Sequence, residues 1–98
     1  MKKLGTYVLR KLSDEYVLIP RGETAEKVNH TITLSETAAF LYEHAEDAES
    51  AKELAKLLAD EYGISEAEVL PDVIQVLNVL TEQGLFERTA EADEYKHQ

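Results

Sequence analysis

The sequence predicts an α+β fold, a three-stranded antiparallel sheet followed by three helices, and three observations carry that prediction. Short runs rich in β-branched and aromatic residues occupy the first third of the chain. Apolar residues recur at helical spacing through the rest. The two kinds of element do not interleave. That order suits a small sheet covered on one face by helices rather than a series of parallel βαβ units.

Thr6-Tyr7-Val8-Leu9-Arg10-Lys11-Leu12 reads as the first strand and Tyr16-Val17-Leu18-Ile19 as the second. Ser13-Asp14-Glu15 between them is a turn, and Pro20-Arg21-Gly22 closes the pair, so the two form a hairpin. Glu23-Thr24-Ala25-Glu26 reads as loop. The third strand is expected over about 28–33, with Val28, His30 and Ile32 on one face and Asn29, Thr31 and Thr33 on the other. It runs directly into a helix. Ser35 can cap the first turn, and Glu36 sets negative charge at the positive end of the helix dipole.

In the first helix Ala38, Leu41, Tyr42 and Ala45 form an apolar stripe, which Phe40 widens, and His44 lies near its end. Glu46-Asp47-Ala48-Glu49 is a polar connection. Ser50 with Glu53 has the capping-box spacing, Ala51, Leu54, Ala55, Leu58 and Tyr62 make the second stripe, and Gly63 suits the C-cap. Ser65 with Glu68 repeats the capping-box pattern for the third helix. Its stripe, Val69 to Leu80, is wider than one packing face needs. Pro71 predicts a break or bend at 70–71. Gly84 ends the helix and lets Leu85-Phe86 fold back on the core. Residues 1–87 are expected to form one domain, and residues 88–98 an acidic, flexible C-terminal tail.

Composition narrows the function. The chain has no cysteine, so disulfides, thiolate metal sites and Cys nucleophiles are excluded. Three scattered histidines do not make a metal cage, and no cofactor is expected. The N-terminus lacks an apolar signal core and no run approaches the ~18 apolar residues of a membrane span, so a cytoplasmic location is expected. No GxGxxG, Walker, HExxH or GxSxG pattern occurs. Asp60-Glu61 and Asp93-Glu94 are adjacent carboxylates, and neighbours on a helix do not face each other. An enzyme is therefore not expected.

Charge is uneven. Residues 1–34 carry a net +2 and residues 35–98 a net −12. The acidic half repels phosphate backbones. The third helix has no Lys or Arg and four acids, Glu66, Glu68, Asp72 and Glu82, which argues against the alternative of a DNA-binding regulator and predicts no nucleic-acid partner. An edge strand beside helices is a place to dock an extended peptide. The same edge can pair with its own copy, so a homodimeric interaction module is a further alternative, and a monomer or weak homodimer is expected.

An ordered set of short motifs runs through residues 6–86. It comprises Tyr7-Val8-Leu9-Arg10, Tyr16-Val17-Leu18-Ile19-Pro20, Asn29 with Ile32-Thr33-Leu34, and Glu36-Thr37 with Phe40-Leu41. It continues with Glu53-Leu54, Leu57-Leu58, Glu61-Tyr62, Asp72-Val73, Leu80 and Gly84-Leu85. This set resembles the PqqD family, small peptide chaperones of pyrroloquinoline quinone biosynthesis and their relatives, also called RiPP recognition elements (RiPP meaning ribosomally made, modified peptide). Ser35 stands where the family usually has Asn, Tyr42 where it usually has Trp, and Pro71 where it rarely has Pro. The resemblance implies a winged-helix-like, non-catalytic module. It implies capture of a precursor's leader segment as an added strand, then presentation to a modifying enzyme, often a radical S-adenosylmethionine enzyme. It places the groove between Val28, Asn29, His30, Thr31, Ile32 and Thr33 on one side and Leu70, Val73, Ile74 and Leu77 on the other.

Overall fold

A computed structural model describes residues 1–87, and the acidic tail expected for 88–98 lies outside the described residues. β1 (Lys2–Lys3) opens the chain. β2 (Tyr7–Leu12) and β3 (Glu15–Pro20) form the expected hairpin, in register from Tyr7↔Pro20 to Leu12↔Glu15. The turn is two residues long, and Ser13 takes a φ of 56° to make it.

The next segment differs from expectation. Gly22–Lys27 is a short helix, α1, not a loop. Glu23 in its first turn and Lys27 in its last suit the dipole, and the Val28 N–H closes it on the Thr24 carbonyl at 2.8 Å. The helix buries no residue, so it leaves no apolar period to read. Its Thr24 hydroxyl accepts from the Thr6 N–H at 2.8 Å, which ties it to the start of β2.

The third sheet strand, β4, is Ile32–Leu34 rather than 28–33. Val28 has its N–H committed to α1, and Asn29, His30 and Thr31 are exposed in the connection. β4 pairs antiparallel with β3, Tyr16↔Leu34 to Leu18↔Ile32, and completes a sheet of order β2-β3-β4.

α2 (Glu36–His44) follows β4 with Ser35 as its only spacer, and the Ser35 hydroxyl accepts from the Ala38 N–H at 3.1 Å. A 3₁₀ turn (Ala45–Asp47) leads toward α3 (Ala51–Tyr62). There the Ser50 hydroxyl accepts from the Glu53 N–H at 3.1 Å, and the Glu53 carboxylate accepts from the Glu49 N–H at 3.0 Å. Gly63 ends α3 in the left-handed region, φ 66°.

α4 (Glu66–Glu82) runs without interruption through Pro71, where a break was one expectation. Proline removes the bond that residue 71 would donate to Ala67. Both residues are exposed, so water reaches the freed carbonyl. The Ser65 side chain makes no cap bond. Its backbone carbonyl instead accepts from Glu68 and Val69 at 3.2 and 3.3 Å.

β5 (Phe86–Glu87) pairs with β1, Lys3↔Phe86. Leu85 and Phe86 are buried, as the Gly84 reversal predicts. Tyr42 is buried and stacks on Phe86 at 5.8 Å, with the Lys3 ammonium 4.4 Å from its centroid. Burial, with Tyr7 and Glu46 nearby, raises the pKa of its phenol. The Met1 amino group donates to the carbonyls of Ala45 and Ala48, pinning the chain start against the end of α2. α4 contributes Val69, Val73, Leu77 and Leu80 to the core, where it packs chiefly on α3.

Candidate functional site

β4 lies at one edge of the sheet, so its outer N–H and C=O groups have no strand partner among the described residues. Facing it is one flank of α4. At about 100° per residue, Gln75, Val76, Val79 and Gln83 fall on a stripe beside the buried Val69-Val73-Leu77-Leu80 row. Together with Thr33, Leu34, Ser35 and Ala38 they line a cavity of about 300 Å³, with Leu80 contributing too. No charged side chain lines it. The Ser35 hydroxyl caps the first turn of α2 directly after β4, which places Ser35 and Ala38 beside Leu34 in the lining.

A second cavity, of about 310 Å³, lies at the other end of the same flank. Glu36 and Thr37 come from the first turn of α2, Leu58 and Tyr62 from α3, and Val69 and Asp72 from α4, with Ile64 from the α3–α4 connection. The Tyr62 hydroxyl donates to the Glu36 carboxylate at 2.8 Å, which lifts the phenol pKa to about 12. Phe40 meets the Tyr62 ring edge-on at 6.1 Å and the His44 ring at 4.4 Å. His44 Nδ1 lies 3.3 Å from Asp47.

Among the described residues four large apolar side chains are markedly exposed, and three of them line these two cavities. They are Val79 at 47%, Ile64 at 47% and Tyr62 at 43%; the fourth, Leu12, is at the hairpin tip. Three of the four thus gather at these two neighbouring cavities, whereas a single exposed apolar residue on a turn needs no explanation. Residues 15–85, which span β4 and both cavities, match the sequence model of the family described as coenzyme PQQ synthesis protein D (PqqD).

The chain belongs to the PqqD family. Among solved structures it is similar to TbiB1, determined in complex with the TbiA(β) leader peptide. The TM-score is 0.65 at 21% identity, covering 92% of this chain and 99% of that one. At that identity the likeness speaks to the fold. No curated protein sequence matches the chain.

Of the residues expected to form the groove in this PqqD-family chain, Ile32 and Thr33 lie on β4, and Thr33 lines the trough. Asn29, His30 and Thr31 are exposed in the preceding connection. Val28 lines a separate cavity with Thr24 and Lys27 of α1. On α4, Val73 and Leu77 are fully buried. Leu70 and Ile74 pack partly buried against the core, roughly 120–160° around the helix from Val76. The trough wall is instead built by Gln75, Val76, Val79 and Gln83. The breadth of the apolar stripe held part of that signal, since Val79 is exposed, while Val76 packs partly buried against the core as Leu70 and Ile74 do. Among the described residues no group of His, Asp or Glu could hold a metal ion, and no helix is long and apolar enough to cross a membrane.

Proposed function

We propose that this chain is a non-catalytic peptide-binding module that captures the leader of a ribosomally made precursor peptide and presents it to a modifying enzyme. The observation that carries this reading is the unpaired edge of β4 facing an uncharged, partly apolar flank of α4 across a trough. An extended peptide in that trough satisfies the edge with its backbone and fills the cavity with its side chains. PqqD family membership and the leader-peptide complex of the similarly folded TbiB1 support the same reading.

Magnitudes decide what kind of peptide fits. β4 is three residues long, so strand addition forms two or three backbone bonds, about 2–3 kcal/mol net. Ordering a disordered leader costs about 2–5 kcal/mol. Backbone pairing therefore does little more than offset ordering. Affinity must come from apolar side chains buried against Leu34, Val76 and Val79, at about 25 cal/mol per Å². The leader then needs apolar anchors at alternate positions, because successive strand side chains point to opposite faces.

The test is an amide-resolved NMR titration with the leader segment of the nearest encoded small precursor peptide. Shifts concentrated at Ile32–Leu34 and along residues 75–83 are expected. Saturable binding whose shifts fall elsewhere, or slower exchange of the β4 amides through self-pairing that excludes the peptide, would sink the reading.

A further inference from the structure

Resting on the strand-addition reading above, we propose that the cavity between Glu36 and Asp72 receives a Lys or Arg of the leader together with an apolar side chain two positions from it, on the same face of the extended peptide. The two would stand about two and four residues N-terminal to the anchor in the β4 trough, centred roughly three residues away. The two cavities share one flank of α4. Val69 and Asp72 at one end are seven residues from Val76 and Val79 at the other. Seven helical residues span roughly 10 Å, which about three residues of extended chain cover. Antiparallel pairing is the more stable arrangement for an added strand. β4 runs from Ile32 to Leu34 and then into Glu36, so an antiparallel peptide directs its N-terminal side toward Glu36.

The chemistry differs between the ends. The trough is lined by uncharged side chains, whereas the second cavity carries two carboxylates from different helices and no Lys, Arg or His. Among the described residues neither Glu36 nor Asp72 forms an ion pair. Leu58, Val69, Tyr62 and Ile64 supply apolar surface between them. A Lys or Arg stem lies along such a surface while its head reaches a carboxylate. An acidic segment is repelled here, and the net −12 of residues 35–98 adds to that repulsion.

The experiment selects random displayed peptides on the 98-residue chain and discards those still bound by a Val79→Lys variant. The surviving peptides are expected to carry a Lys or Arg and an apolar residue two positions apart, about two and four positions before a second apolar anchor. A synthetic copy of the best binder should bind Asp72→Asn and Glu36→Gln about two- to fivefold more weakly, the range of exposed ion pairs. The same peptide with its cation replaced by Gln should no longer distinguish these variants from wild type, and selection on Asp72→Lys should enrich acids instead. Survivors without a basic preference, or variants that weaken both peptides equally, overturn this assignment and leave strand addition standing. A selection with no peptide lost on Val79→Lys overturns both.

Discussion

Replacing Val79 with Lys separates binding from folding more cleanly than any other single change. Val79 is on the trough wall and 47% exposed, so about half of its side chain remains for a peptide to cover. Full burial of such a side chain is worth about 1.5–3 kcal/mol. The remaining half is then about 0.7–1.4 kcal/mol, roughly a three- to tenfold change in Kd. Lys adds a longer chain across the trough and an ammonium that the peptide must desolvate, so the loss should be at least tenfold. The free protein should hardly respond. Lys is a better helix former than Val, and a positive charge is favourable in the last turns of α4. Stability should stay within about 0.5 kcal/mol. Calorimetric titration with the leader segment, beside thermal melts of each variant, reads both quantities. Leu12→Lys is the control, because it makes the same chemical change at an exposed apolar residue on the hairpin tip. Unchanged binding in Val79→Lys, or equal losses in both variants, would refute the reasoning.

The helix starts differ in a way mutation can read. Ser35→Ala and Ser50→Ala each remove a hydroxyl that accepts from a backbone N–H, and each should cost about 1 kcal/mol in denaturant melts. Ser65→Ala should cost much less, because that side chain makes no cap bond. Pro71→Ala restores an internal bond in a continuous helix and should raise stability by about 1–3 kcal/mol; a lower melting temperature would show that proline relieves some other constraint. The Tyr62 phenol, bonded to Glu36, has its pKa raised from 10.0 to about 12. The stabilisation from that bond is thus full below pH 10 and is lost as pH rises toward 12. NMR titration of the Tyr62 ring should show the raised midpoint, and Glu36→Gln should bring it back toward 10.

Much of this fold was legible because its signals are local. The β2–β3 hairpin followed from two strand-like runs and a turn, and α3 followed from Ser50, its apolar stripe and Gly63. α1 was not legible, because a six-residue helix that buries nothing has no period. Its presence also shortened β4, since the Val28 N–H bonds backward to Thr24 instead of across the sheet. Pro71 suggested a boundary that the helix does not observe, because both the proline and the carbonyl it leaves unbonded are exposed. The trough was legible only to the level of its two elements. Sequence spacing says which α4 residues share a stripe. It does not say which edge of that stripe meets β4 and which meets α3, and that depends on the angle at which the helices cross.

The division of α4 into two adjoining rows bears on how such a domain diversifies. Val69, Val73, Leu77 and Leu80 hold the helix in place, while Gln75, Val76, Val79 and Gln83 face the trough. Gln75, Val79 and Gln83 are exposed and can change without touching the first row, whereas Val76 also packs against the core, so on the proposed reading most of the trough wall can vary with little loss of foldedness. If the proposed function holds, a lineage that must keep pace with a drifting precursor gene can then revise its recognition surface one side chain at a time. Each intermediate remains a folded protein, and the same scaffold lends itself to redesign toward leaders of other sequences.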